Sequence, residues 1–207
     1  MSHPVITVQP DIQITKAHQL MAQAKIRQMP VVKNGKLVGI VSENDVLKAY
    51  PSSVTTLAVW EIAALIEKIK VKDVMIKEVR TVQEDTLIEE AARIMADDGV
   101  SSLPVMHGNE LVGIIAETDL FNIMLEMLGA RRPGVHFTVL IVRQPGQIAK
   151  ITKAIFEKGG DITALSTFEG DSSATAMISF KVDGIEQQAL QKLIEPLVLN
   201  LLEIGTR

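Results

Sequence analysis

The 207-residue chain contains no cysteine, which excludes disulfides, thiolate zinc sites and cysteine nucleophiles together. Aromatic residues amount to only 3%, so the cores must be packed from Val, Ile, Leu, Ala and Met, and base stacking on rings is not available as a main binding mode. Positive charge is not in excess either. A net charge of -4 and a pI near 5.6 leave no basic stripe for nucleic acid or an anionic membrane, so any phosphate must be held in a pocket. Long apolar runs are missing: LAVWEIAALI is too short to span a bilayer and carries Glu61. The N-terminal MSHPVITVQP has neither the basic segment nor the apolar segment of a secretory signal. With 47% hydrophobic residues, the expectation is a folded cytoplasmic protein.

Catalytic signatures are absent as well. His3, His18, His107 and His136 lie far apart with no HExxH spacing, and no P-loop, GxGxxG or GxSxG occurs. Asp97-Asp98 and Glu89-Glu90 are adjacent on an expected helix, where neighbours point different ways, so they read as a solvated face. The chain is therefore expected not to be an enzyme, with no catalytic residue, no catalytic cofactor and no metal site.

What the sequence does contain is a duplication. Displacing the chain by 74 positions aligns MSHPVITVQPD with MIKEVRTVQED and LVGIVSENDVL with LVGIIAETDLF, without a gap. Identities include Val8/Val82, Met21/Met95, Pro30/Pro104, Gly39/Gly113 and Asp45/Asp119, against a chance rate of roughly one position in ten. A repeat of this kind takes precedence over every other fold argument. Each unit reads strand, helix, strand, strand, helix. In the second, residues 79–82 are expected as a strand, and Asp85 and Thr86 open a helix with Glu89 completing a capping box. KNGK (33–36) and HGNE (107–110) are hairpin turns. Residues 55–70, with Trp60, have the amphipathic pattern of a connecting helix.

From Val135 onward the pattern changes to strand, helix, strand, strand, helix, strand, the order of a ferredoxin-like split βαβ unit. Its last strand is expected over LVLNLLEI (197–204), and ARRPG supplies a boundary linker. The domains are expected at 1–49 (first repeat), 50–70 (connecting helix), 71–129 (second repeat), 130–134 (linker) and 135–207 (C-terminal domain).

The ending GIVSENDVL (39–47) admits two uses. Ser42 and Asp45 have the spacing of a capping box. A carboxylate at a strand-to-helix turn can also accept from two ribose hydroxyls, near a helix N-terminus that favours phosphate. In the second copy Ala116 replaces the hydroxyl residue while Asp119 remains, which capping reciprocity does not account for. Helix-dipole preference for an acid in the first turn still does.

VKDVM (71–75), TVQEDTLIEEAARIM, the LPV strand and the Gly-to-Asp ending together resemble the cystathionine-β-synthase (CBS) domain, present twice. PGQIAKITKAIFEKGGDI resembles the first loop and helix of ACT domains. The resemblance implies an α+β protein with a pseudo-two-fold tandem CBS pair (a Bateman module) followed by a ferredoxin-like ACT domain. The order CBS, CBS, ACT is similar to that of bacterial acetoin-utilisation proteins of the AcuB type. CBS pairs are regulatory modules, so the resemblance implies an adenosine derivative (AMP, ADP, ATP or S-adenosylmethionine) as regulatory ligand. It further implies a homodimer, a regulated protein partner, no nucleic acid or membrane partner, and control of acetoin or related carbon metabolism. A structural dimer or scaffold without nucleotide binding is the alternative.

The ligand motif of the family, Gly-h-x-Ser/Thr-x-x-Asp, is filled by Gly39, Ser42 and Asp45, and in the second copy by Gly113 and Asp119 without the hydroxyl. The adenosine site is expected from Thr7, Val8, Ile26, Arg27, Met29, Pro30, Ser42 and Asp45 in the first copy, and from Arg80, Thr81, Leu103, Pro104 and Asp119 in the second. Met29, Pro30 and Ile26 would form an aliphatic slot for adenine, although Met29 fits a core equally well. Lys25, Arg27 and Arg80 are the nearest cations for phosphate, and each also fits a solvated surface. The segment before the second unit has no counterpart before Met1, so the first copy's cleft is expected to be more open. In the ACT segment, Gln144, Gly146, Gln147 and Ile148 would cradle an amino-acid carboxylate on backbone amides, with dimerisation through sheet edges as the alternative.

Overall fold

The structure, a computed structural model, describes residues 4–50 and 65–206. The chain divides into two compact units, Met1–Leu120 and Phe121–Arg207. The larger part of the expected connecting helix, Trp60 included, lies outside the described residues; of the rest, residues 65 and 66 are helical.

In the first unit, α1 (Ile14–Ala24) buries Ile14, Ala17 and Met21, one stripe at helical spacing. It is followed by the antiparallel hairpin β1 (Gln28–Lys33) and β2 (Lys36–Ser42), and by the short α2 (Glu43–Lys48). Asn34 and Gly35 both have positive φ, 51° and 76°, as the two-residue turn of a right-twisted hairpin requires. The second repeat follows the same plan. A four-residue helix α3 (Val71–Val74) leads into β3 (Val82–Gln83), α4 (Ile88–Asp98), β4 (Ser102–His107), β5 (Glu110–Ala116) and α5 (Glu117–Met127).

The duplication reaches fine detail. Val8 bridges Val31 in parallel as Val82 pairs with Val105, and the hairpins carry register irregularities at the equivalent places, Val31/Val32 and Val105/Met106. β2 and β5 alternate between partly and fully buried residues in the same order. The first core gathers Val8, Ile14, Ala17, Met21, Met29, Val31, Val41, Val46, Ile66 and Val71. The second is smaller, with Val82, Ala91, Met95, Leu103, Val105 and Ile115.

Two local expectations are corrected. The strand expected over 79–82 is the shorter β3, Val82–Gln83. The capping box at Thr86 and Glu89 does not form: the Thr86 hydroxyl accepts from the Gln83 amide at 3.1 Å, closing a turn ahead of the helix, and Leu87 becomes the N-cap.

The lead-in to the second repeat packs on the first. Val71 is fully buried in the first core, the Ile14 amide donates to the Ile69 carbonyl at 3.1 Å, and Ile40 and Ile76 exchange two backbone hydrogen bonds of 2.9 Å. At Gly39 this approach leaves no room, because an added Cβ would stand 2.6 Å from the Met75 sulfur and 3.0 Å from the Ile76 carbonyl.

The second unit holds a four-stranded antiparallel sheet in the order β7-β8-β6-β9, built from β6 (Val135–Val142), β7 (Asp161–Glu169), β8 (Thr175–Asp183) and β9 (Asn200–Thr206). With α6 (Gln147–Glu157) and α7 (Gln187–Ile194) the element order is the expected split βαβ. Alternate β6 residues Val135, Phe137, Val139 and Ile141 are buried with Ile151 and Ile155 of α6 and Leu190 and Ile194 of α7. Phe137 and Phe180 are register partners whose rings stack at 4.9 Å. The last strand begins later than expected. Pro196 sits in a 3-10 turn, Glu195–Leu197, and pairing with β6 starts only where the Leu199 amide donates to Leu140.

Two outcomes test this fold. Gly39→Ala should lower unfolding stability by about 1–3 kcal/mol in urea titration, and a change within about 0.5 kcal/mol would contradict the close approach of Met75 and Ile76. At the end of β4, His107 Nδ1 lies 2.5 Å from Glu84, just beyond β3, and this hydrogen bond, then the carboxylate's charge, raise the imidazole above its usual 6.5. The pair should therefore add stability at pH below 6.5, which is lost as pH rises through the raised folded value. NMR titration should find the His107 midpoint raised in the native protein and returned to the usual range in Glu84→Gln; an unmoved midpoint would contradict the pairing.

Candidate functional site

The strand-to-helix junctions of the two repeats are built alike and used differently. In the first, the Asp45 carboxylate accepts from the Ser42 amide at 2.9 Å and the Ser42 hydroxyl at 2.6 Å, while the Asp45 amide donates back to that hydroxyl at 3.1 Å. Ser42 and Asp45 form a complete capping box. In the second, Asp119 accepts from the Ala116 amide at 2.9 Å, so half of the box survives without the hydroxyl. Asp119 thus retains a capping task, contrary to the sequence argument that reciprocity leaves it none. Because it accepts only one of these bonds, more of its lone-pair capacity remains for a ligand.

Asp119 also lines a cavity of about 460 Å3, a volume typical of small-molecule sites. The walls come from residues 4–6, 25–28, 101–102, 114 and 116–119, so the cavity is shared between the repeats. Its apolar side is aliphatic, with Val5, Ile6, Ile26 and Ile114; its polar side offers Lys25, Arg27, Gln28, Ser101, Ser102, Glu117, Thr118 and Asp119. Gln28 crosses the cleft. Its amide nitrogen donates to the Ser101 hydroxyl at 2.5 Å and its amide oxygen accepts from the Ser102 hydroxyl.

The 25–28 segment is held firmly in place. Lys25 closes α1 in the left-handed conformation (φ 54°), the Ile26 amide donates to the Met21 carbonyl, and the Arg27 carbonyl accepts from the Glu43 amide at 2.8 Å.

Of the residues expected from sequence, the structure brings Ile26, Arg27 and Asp119 together in this cavity. Ser42 and Asp45 are not among its lining residues. Met29 and Leu103 are fully buried and Val8 nearly so, each packed in a repeat's core, and Pro30 and Pro104 are buried in β1 and β4. The aliphatic wall is therefore made by Ile26 with Val5, Ile6 and Ile114 instead of Met29 and Pro30. Thr7 is exposed. Thr81 lines a different cavity of about 440 Å3, with Lys36 and Lys77 beside it. Arg80 pairs with Asp98 at 2.9 Å.

Gln28, Ser101, Ser102 and Thr118 were not anticipated as lining residues. The 74-residue displacement carried a signal for one of them, since it places Ser102 opposite Gln28. In the second unit, Gln144 and Gly146 lie on the turn from β6 into α6, where Gly146 caps the helix with φ 89°, and Gln147 and Ile148 are the first residues of that helix. Nearby, Arg143 is tied to Glu169 at 2.7 Å.

Among the described residues, no group of three or more His, Asp or Glu side chains could hold a metal ion, and no helix is long and apolar enough to cross a membrane.

A Ser42→Ala change should cost about 1 kcal/mol in chemical unfolding, and Ala116→Ser should gain about 0.5–1 kcal/mol by completing the second box. No loss at Ser42 would contradict the capping geometry.

The CBS-domain family model matches residues 1–52 and 71–126. An inosine-5′-monophosphate dehydrogenase of Korarchaeum cryptofilum is 35% identical over 118 residues; the match takes in 56% of this chain and only 22% of that enzyme. Among solved structures, a proposed acetoin utilization protein (AcuB) from Vibrio cholerae is 30% identical with a TM-score of 0.52, covering 63% of this chain and 90% of that one. The CBS domain pair of protein MJ0100, solved in complex with 5′-methylthioadenosine and S-adenosyl-L-methionine, is 26% identical with a TM-score of 0.50, covering 64% and 94%. The chain belongs to the CBS-domain family, and carries two CBS domains in tandem.

Proposed function

We propose that the protein is a regulatory ligand sensor that binds an adenosine derivative in the cleft between its CBS repeats. The observation that carries this reading is the cavity beside Asp119, where a helix-start carboxylate, an aliphatic wall and two cations face one space. A carboxylate with spare acceptor capacity suits a ribose diol, and Val5, Ile6, Ile26 and Ile114 suit the faces of a purine. The ligands of the MJ0100 pair support the adenosine class. A ligand lodged there touches both repeats, so it favours whichever mutual arrangement fits it best.

The C-terminal unit is read as an ACT-type domain, on its strand order and the Pro145-Gly146 turn, serving dimerisation or a second effector at residues 144–148. The likeness to AcuB supports a role in acetoin or related carbon metabolism, exercised in the cytoplasm by a homodimer acting on a protein partner. The complete capping box at Asp45 favours a structural role for the first junction alone.

Calorimetric titration with AMP, ADP, ATP and S-adenosylmethionine tests the reading. At least one should bind saturably, and Asp119→Ala should weaken it about tenfold or more. Asp45→Ala should lower stability by about 1 kcal/mol without changing that affinity. Loss of binding in Asp45→Ala alone would move the site to the other junction. No binding of any of the four would leave a structural dimer or scaffold.

A further inference from the structure

The 25–28 segment and its counterpart 74 residues on have the same backbone and different chemistry. Both helices end in the left-handed conformation, Lys25 at φ 54° and Gly99 at φ 64°. Glycine adopts that conformation without steric cost, whereas a side chain with a Cβ is disfavoured there. The first repeat thus keeps a lysine at a position where the second shows glycine to be the easier fit. Two residues on, Arg27 corresponds to Ser101.

Arg27 is unusual in a second respect. Arg80, Arg93, Arg131, Arg132 and Arg143 each donate to an acceptor, but among the described residues the Arg27 guanidinium has no hydrogen-bond or ion-pair partner. Lys25 likewise enters no ion pair among the described residues. Both line the cavity of Asp119, one repeat supplying these cations and the other the carboxylates Glu117 and Asp119, neither of which pairs with Lys25 or Arg27 among the described residues.

Resting on the reading of this cavity as an adenosine site, we propose that Lys25 and Arg27 make it selective for a 5′-phosphorylated adenosine over neutral or sulfonium-bearing adenosines. With the ribose diol on Asp119, the 5′ substituent is the group left to meet the cations. A phosphate gains charge-assisted hydrogen bonds from a planar guanidinium and an ammonium. A sulfonium meets like charge, and a neutral thioether leaves both cations unpartnered. The class differs from the ligands of the MJ0100 pair, so the two repeats' loops, not the shared fold, decide it.

Lys25→Gly provides a test that separates binding from folding, because it removes the cation and relieves the backbone together. Wild type, Lys25→Gly and Arg27→Ala are titrated calorimetrically with AMP, adenosine, 5′-methylthioadenosine and S-adenosylmethionine, and their melting temperatures are recorded. In wild type, AMP should bind about tenfold or more tighter than adenosine. Each variant should erase most of that advantage while adenosine affinity stays put, and Lys25→Gly should melt no lower than wild type. Adenosine or S-adenosylmethionine binding as tightly as AMP, or AMP affinity untouched in both variants, would overturn the selectivity and leave the adenosine site standing. Failure of all four compounds to bind, together with ADP and ATP, would overturn the site itself and the selectivity with it.

Discussion

Gln28 and Ser102 occupy equivalent positions in the two repeats, 74 residues apart, and they hydrogen-bond to each other. The rest of the first unit shows further contacts that join one copy to the other. The second core is made of six buried residues, and the first is completed by Ile66 and by Val71, the residue that opens the second copy. The backbone exchange between Ile40 and Ile76 binds the same lead-in to β2, at the one place where Gly39 allows it. A pair assembled in this way has a cleft lined by both copies, with Gln28 and its two serine partners in its wall. The cavity thus shares Gln28, Ser101 and Ser102 with the contact between the copies. This is the physical basis for reading the pair as a sensor, since a ligand shifts an arrangement only through differential contacts.

Duplication supplied two similar junctions, and substitution made them unlike. Ser42 completes a box that Ala116 leaves half open, so the Asp45 carboxylate accepts two capping bonds where Asp119 accepts one. Lys25 and Arg27 stand where the other copy has Gly99 and Ser101, and Ile6 where it has Arg80, which is held by Asp98. The cavity at Asp119 therefore combines an aliphatic wall with two cations and the carboxylates of Glu117 and Asp119, drawn from both copies. The C-terminal unit reaches its core by other means, an alternating β6 laid under two helices and fixed by the Phe137–Phe180 stack.

Much of the fold was legible because its signals are periodic. Ungapped identity at 74 residues carried the repeat, and the alternation Val135, Phe137, Val139, Ile141 carried the first strand of the C-terminal sheet. Boundaries governed by a single hydrogen bond were not legible: the Thr86 hydroxyl turned back to Gln83 where a helix cap was expected, and Pro196 delayed the last strand. The site was half legible. Asp119, Arg27 and Ile26 were expected through the family resemblance, but spacing within one copy cannot indicate that residues of one repeat line a cavity with the carboxylate of the other. Met29 read equally well as slot or core, and three-dimensional packing placed it in the core, with Pro30 buried beside it in β1.

The most direct test of this account is a crystal structure of the protein grown with saturating AMP. The account predicts one nucleotide in the cleft, its ribose hydroxyls on the Asp119 carboxylate and its phosphate against Lys25 and Arg27. A nucleotide whose ribose sits on Asp45, or an ordered cleft that stays empty at saturation, would contradict it.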